Sequence, residues 1–115
     1  MYGCDLCQDV CPWNTDAAVT EDPVWVARPL WEQATLAALW HASDEDLQVA
    51  IRHSPMYRTK VWRIRRNLAL AIAASGDSDA QAALFEPRDP VADPSLAHPV
   101  VVEHVEWARA RIRKA

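Results

Sequence analysis

Residues 59–74 read Thr-Lys-Val-Trp-Arg-Ile-Arg-Arg-Asn-Leu-Ala-Leu-Ala-Ile-Ala-Ala. Val61, Ile64, Leu68, Ala71 and Ile72 recur at the period that gathers side chains on one side of an α-helix. The spacing predicts a helix from about Thr59 to Ala74, stopped by Gly76, which tolerates the left-handed backbone of a helix end. Upstream, Ser43 followed by Asp46 is a capping signal, with acids in the first turn and Leu47, Ala50 and Ile51 on one side. It predicts a helix from Asp44 to His53, ended by Ser54-Pro55, and a shorter helix fits Thr35 to Trp40. Downstream, Asp77 or Ser78 caps a short helix over Asp79–Phe85, and a proline-rich loop fills Glu86–Pro99. A last helix from Val100 to Arg113 places Val101, Val105, Ala108 and Ile112 on one face. Helical pairs of this kind are the unit of a HEAT-like repeat, in which each pair needs a neighbour to cover its apolar side. One clear pair and one partial pair give no true period.

The chain has 115 residues, half of them hydrophobic but many of those alanine, with only 2 glycines. That balance points to a mainly helical chain with one modest core. No stretch approaches the ~20 apolar residues a bilayer span requires, and polar Asp and Cys stand where a signal peptide would put its basic and apolar regions. The reading is a cytoplasmic protein without membrane contact. Residues 15–33 sustain no period and read as a linking segment that packs through Trp25, Leu30 and Trp31.

Net charge is −4, but unevenly spread. Residues 1–55 carry two bases against nine acids, whereas five bases fall between Arg58 and Arg66 with no acid among them. On a helical wheel Lys60, Arg63, Arg66 and Asn67 lie away from the apolar stripe, with Arg58 just before them. Guanidinium groups fork onto phosphate oxygens, so this face suits an RNA backbone. A solvated face paired with Asp44, Glu45 or Asp46 is the competing reading. The 6 tryptophans suit core packing for the most part, with stacking on splayed bases also open to them. His41, His53, His98 and His104 show no ligand spacing.

All three cysteines lie within Cys4-Asp-Leu-Cys7-Gln-Asp-Val-Cys11-Pro12. Too few and too clustered for a disulfide framework, they suit metal ligation. The C-x2-C-x3-C-P spacing fits the tail of a bacterial ferredoxin run: thiolates are soft anionic ligands for iron, and the proline turns the chain away after the last of them. In two-cluster ferredoxins the final cysteine serves the other cluster, so Cys4 and Cys7 would hold one [4Fe–4S] cluster and Cys11 a second. Two clusters need eight sulfurs in all, so five ligands would come from elsewhere. Zinc with a distant histidine, or plain reduced cysteines, are the alternatives. Trp13, directly after the proline, is placed to shield a cluster from water.

Tyr2-Gly3-Cys4-Asp5-Leu6-Cys7-Gln8-Asp9-Val10-Cys11-Pro12-Trp13-Asn14 resembles the second cysteine motif of tRNA epoxyqueuosine reductases. A second likeness follows at Ser54-Pro55-Met56-Tyr57-Arg58, Arg63 and Arg66-Asn67, and a looser one near His104–Trp107. The resemblance implies a fragment of a cobalamin-dependent enzyme with two [4Fe–4S] clusters that reduces epoxyqueuosine to queuosine at the tRNA wobble position. It implies the end of a ferredoxin-like domain with linker over residues 1–33, then a HEAT-like helical domain over 34–115 that helps hold the anticodon region of tRNA. Cys4, Cys7 and Cys11 would correspond to cluster ligands, while the cobalamin site, the proton-donating acid and the first cysteine motif would belong to an N-terminal part of the same enzyme, upstream. No catalytic residue is expected here, and the chain alone is expected to be inactive. Met1 stands where the family has an aliphatic residue, and reads as an internal codon, the edge of an expressed piece or the start of a decayed gene. A small iron–sulfur electron carrier and a HEAT-like module that binds tRNA or protein are the alternatives. Apolar surface near Val10, Trp13 and Trp25 is an exposure hazard for such a fragment.

Overall fold

The computed structural model describes residues 4–26, 29–32 and 34–114, with nothing said of the side chain at position 29. Seven α-helices and no strand occur among the described residues: α1 (Leu6–Asp9), α2 (Pro29–Glu32), α3 (Leu36–His41), α4 (Asp44–Ile51), α5 (Val61–Ser75), α6 (Ser78–Ala83) and α7 (Pro99–Ile112). Short 3-10 turns begin at Pro12, Pro23, Pro55 and Pro94, each using a proline's fixed φ to start the turn.

The helix starts follow the local chemistry. Thr35 Oγ1 accepts from the Ala38 amide at 3.1 Å. At α4 the Asp46 amide donates to Ser43 Oγ at 3.0 Å and the Ser43 amide donates back to Asp46 Oδ2 at 3.3 Å, a reciprocal capping box. Asp77 Oδ1 takes the amides of Asp79 and Ala80. Gly76 ends α5 at φ +69°, in the left-handed region. Pro99 begins α7 rather than closing the preceding loop, because the first helical position has no use for its missing N–H. α4 stops at Ile51, two residues short of the expected His53, and His53 itself adopts φ +61°.

The core begins at α2 and runs to the end of α7. Leu39 and Trp40 of α3, Leu47 and Ile51 of α4, Ile64, Leu68 and Ile72 of α5, and Val101, Val105 and Ala108 of α7 are buried together, with Ala80, Ala83 and Leu84 below them. α5 packs chiefly on α7, while α3 packs on α5 and α6. The two longest helices run in the same sense. Trp62 at the start of α5 stacks on His98 at the start of α7. Leu70 lines a shallow cavity with His104 and Trp107, and Ala73, Ala74 and Gly76 line another with Ala110, Ile112 and Lys114. α6 and the proline-rich loop carry the chain back between them.

The segment 4–26 is different. Every residue in it except Cys11 is exposed, including Trp13 at 90% and Trp25 at 75%. Trp25 therefore does not anchor the linking segment; Leu30 and Trp31 do, and the Trp31 indole donates to the Ala50 carbonyl at 3.4 Å. The radius of gyration, 15.9 Å, exceeds the ~13 Å of a fully packed chain of this length, as an outlying segment requires. Trp107 is also half-exposed, so three tryptophans rather than most are packed: Trp40 in the core, Trp31 and Trp62 at its margin.

Candidate cysteine motif and basic helix face

Asp5 precedes the single turn α1, which carries Cys7, and Cys11 follows it with extended backbone before Pro12 redirects the chain. The Asn14 amide group donates to the Gln8 carbonyl at 3.1 Å and folds the turn after Pro12 back onto α1. Cys4 and Cys7 are exposed and Cys11 is half-buried; all three are free thiols. By type the donors fit iron–sulfur chemistry, since soft thiolates alone are supplied. By number they fall short of one complete set, and among the described residues no three His, Cys, Asp or Glu side chains converge on a metal position. Trp13 points no shielding face at a packed core: it is nearly fully exposed.

The basic face divides. Arg58, Lys60 and Arg63 are exposed, and Arg66 and Asn67 are half-buried. Both Nε and Nη2 of Arg66 donate to Asn67 Oδ1, at 2.9 and 2.7 Å, which fixes the Arg66 guanidinium along the helix. The Arg63 guanidinium lies over the Trp62 ring, 5.1 Å from its centroid, and the Trp62 ring is stacked on His98 with centroids 4.0 Å apart and 5° between planes. His98 is in turn held by its capping role, its Nδ1 accepting the Val100 amide at 3.3 Å.

Arg65 leaves the patch altogether. It is fully buried, and its guanidinium donates to the carbonyls of Trp40 and Ala42 and to Asp44 Oδ1, with Asp93 at 3.8 Å. Asp44 is further held by the amide and hydroxyl of Ser95, and its own amide donates to Asp93 Oδ1 at 2.8 Å. Arg88 closes the ring by donating to Asp93 Oδ2 and the Trp40 carbonyl. Burial pulls the Arg65 guanidinium below its ordinary pKa against the opposing pull of Asp44. For Asp93 burial pushes upward, yet the Asp44 amide, the Arg88 hydrogen bond and the two guanidinium charges outweigh it and hold the carboxyl below its ordinary value. This network ties the end of α3, the start of α4, α5 and the proline-rich loop together. The sequence carried one signal for it: Arg65 lies three, four and seven residues before Leu68, Ala69 and Ile72, on the buried side of the helix.

A cleft of about 680 Å³ opens between Trp40, Phe85, Leu96 and Val105. Its arginines are already engaged, Arg88 as above and Arg109 through the Leu84 carbonyl and the Phe85 ring.

With this geometry in place, similarity to known proteins decides the lineage. Over 112 residues, 96% of this chain is 37% identical to an epoxyqueuosine reductase of Xanthomonas campestris pv. campestris. The chain is a homologue of part of the epoxyqueuosine reductases. Epoxyqueuosine reductases of Shewanella oneidensis and Salmonella typhimurium match at 33% and 31% identity over 98% and 96% of the chain. The chain spans less than a third of the length of these curated epoxyqueuosine reductases, 27 to 30%. No family model and no solved structure matches it. No helix among the described residues is long and apolar enough to cross a membrane.

Proposed function

We propose that this chain acts as the C-terminal part of an epoxyqueuosine reductase, the cytoplasmic enzyme that reduces epoxyqueuosine to queuosine at the tRNA wobble position. The observation that carries the reading is the run of epoxyqueuosine reductases matched over nearly the whole chain. The cysteine motif supports it: thiolates alone, in the spacing of a ferredoxin tail, and too few for either cluster.

In this reading residues 1–33 are the end of a ferredoxin-like domain with its linker, and 34–115 a HEAT-like domain. Cys4 and Cys7 contribute to one [4Fe–4S] cluster and Cys11 to a second, the remaining ligands and the cobalamin site lying upstream. The clusters supply one-electron transfer when bound. Trp13, exposed in this chain, is covered by that upstream part and keeps water from the clusters. Arg58, Lys60, Arg63, Arg66 and Asn67 meet the phosphates of the anticodon region, giving affinity without reading sequence. The long run of exposed apolar side chains from Leu6 to Val26 fits a segment whose packing partner lies elsewhere in the enzyme.

The test is a chimera in which this chain replaces the matching part of the Xanthomonas campestris reductase. Anaerobically reconstituted, it should hold about eight irons per chain and form queuosine in tRNA, and Cys4→Ser, Cys7→Ser and Cys11→Ser should each lose iron. A soluble chimera whose iron content ignores all three substitutions would sink the assignment. The 115-residue chain alone should stay colourless and inactive; a brown, iron-loaded chain would instead favour a small electron carrier.

A further inference from the structure

We infer that Trp62 and His98 are positioning residues for Arg63, presenting its guanidinium to an RNA phosphate in a fixed orientation. The inference deepens the RNA-contact reading above and rests on it.

The chain of support runs from backbone to charge. The Val100 amide at the start of α7 donates to His98 Nδ1, so that nitrogen carries no proton and the ring is pinned to the helix end. The pinned ring lies flat on Trp62, 4.0 Å away and nearly parallel to it, which fixes the indole although it sits at the margin of the core. The indole face in turn attracts the Arg63 guanidinium, 5.1 Å from its centroid. Arg63 is exposed, and no carboxylate among the described residues forms an ion pair with it. An arginine on a flexible stem loses rotamer freedom when it grips a phosphate; one already laid on an aromatic face loses less. The other exposed cations of this face, Arg58 and Lys60, have no ring beneath them among the described residues; Arg111 and Arg113, which do lie over rings, belong to the far end of α7. Arg63 thus differs from its neighbours in being pre-set, and two residues that touch no ligand set it.

The experiment measures binding of a tRNA anticodon stem-loop transcript to the full chain across a salt series. Arg63→Ala should weaken binding about tenfold and lower the salt slope by about one ion. Trp62→Leu should weaken it about threefold to tenfold, while Trp62→Phe, which keeps an aromatic face, should restore most of the loss. His98→Asn keeps a cap acceptor for α7 but removes the stacked ring, and should fall between. Trp62→Leu added to Arg63→Ala should cost nothing further, since the indole acts through the arginine. Thermal melts confirm that each variant is folded, and a general loss of structure would lower binding in the double variant again. Additive losses, or a Trp62→Leu protein that binds as the parent does, overturn the inference while leaving the RNA reading intact. Loss on Arg58→Ala and Lys60→Ala with no effect of Arg63→Ala does the same. A parent chain that does not bind the stem-loop at any salt removes both.

Discussion

Arg65 and Asp44 meet 3.2 Å apart with the arginine fully buried, so the only base in the run 58–66 that lies inside the core is neutralised by the first residue of α4. A buried ion pair adds little over a well-packed apolar substitute, but removing one partner strands the other in a medium that solvates it poorly. Asp44→Ala should therefore cost about 3–5 kcal/mol, read as a shift in the urea midpoint. The exposed Arg58→Ala should stay within about 0.5 kcal/mol of the parent. Equal effects would mean that the network does not hold the fold.

Asp93 makes stability depend on acid. Its carboxyl is held below its ordinary value in the folded chain, chiefly because the Asp44 amide and the Arg88 guanidinium overcome the cost of its burial. A carboxyl with a depressed folded pKa binds protons less readily than in the unfolded chain. Its contribution is thus complete above the unfolded value of about 3.9 and disappears as pH falls through the lower folded one. Urea unfolding followed downward from pH 5 should show the parent losing stability in that window, and Asp93→Asn, weaker at pH 7, losing less. Parallel curves would contradict the assignment.

Much of the fold could be seen in the sequence because its signals are local. The α5 stripe is carried by Ile64, Leu68 and Ile72, whose period survives any tertiary context, and the Ser43–Asp46 box satisfies amides within one turn. What could not be seen depends on separation along the chain. Arg65 finds Asp44 and Asp93 at distances of 21 and 28 residues, and its charge argues for solvent while its position on the stripe argues for the core. His98 shows no ligand spacing, and nothing near it in the sequence announces that it packs by stacking on a ring 36 residues away while capping α7. For the cysteines, the spacing suggests a chemistry, but three free sulfurs on one short segment fall short of a complete ligand set.

The caps should be separable from the core by substitution. Ser43→Ala removes the acceptor for the Asp46 amide and should cost about 1 kcal/mol. Gly76→Ala would meet no atom within 4 Å, so any penalty comes from forcing a Cβ into φ +69°. That penalty is about 1–2 kcal/mol. A Gly76→Ala chain as stable as the parent would show that α5 can end without its left-handed glycine.

Removing residues 1–26 should leave the unfolding free energy of the remaining chain nearly unchanged, within about 0.5 kcal/mol, because the described part of that segment buries almost nothing. The same truncation should reduce self-association in light scattering, since it deletes Leu6, Val10, Trp13, Val19, Val24 and Trp25 from the surface. A large fall in stability would place part of the core where none is seen.

Because α5 and α7 lie side by side in the same sense, their peptide dipoles reinforce rather than cancel. Each amino end bears about half an elementary charge, so the paired ends add roughly one positive charge to the edge that already carries Lys60 and Arg63. The opposite edge gathers the carbonyl ends, answered by Arg109, Arg111 and Lys114. The two ends of the pair therefore differ in kind: one edge offers free amides beside Lys60 and Arg63, while the other sets basic side chains against its own carbonyl ends.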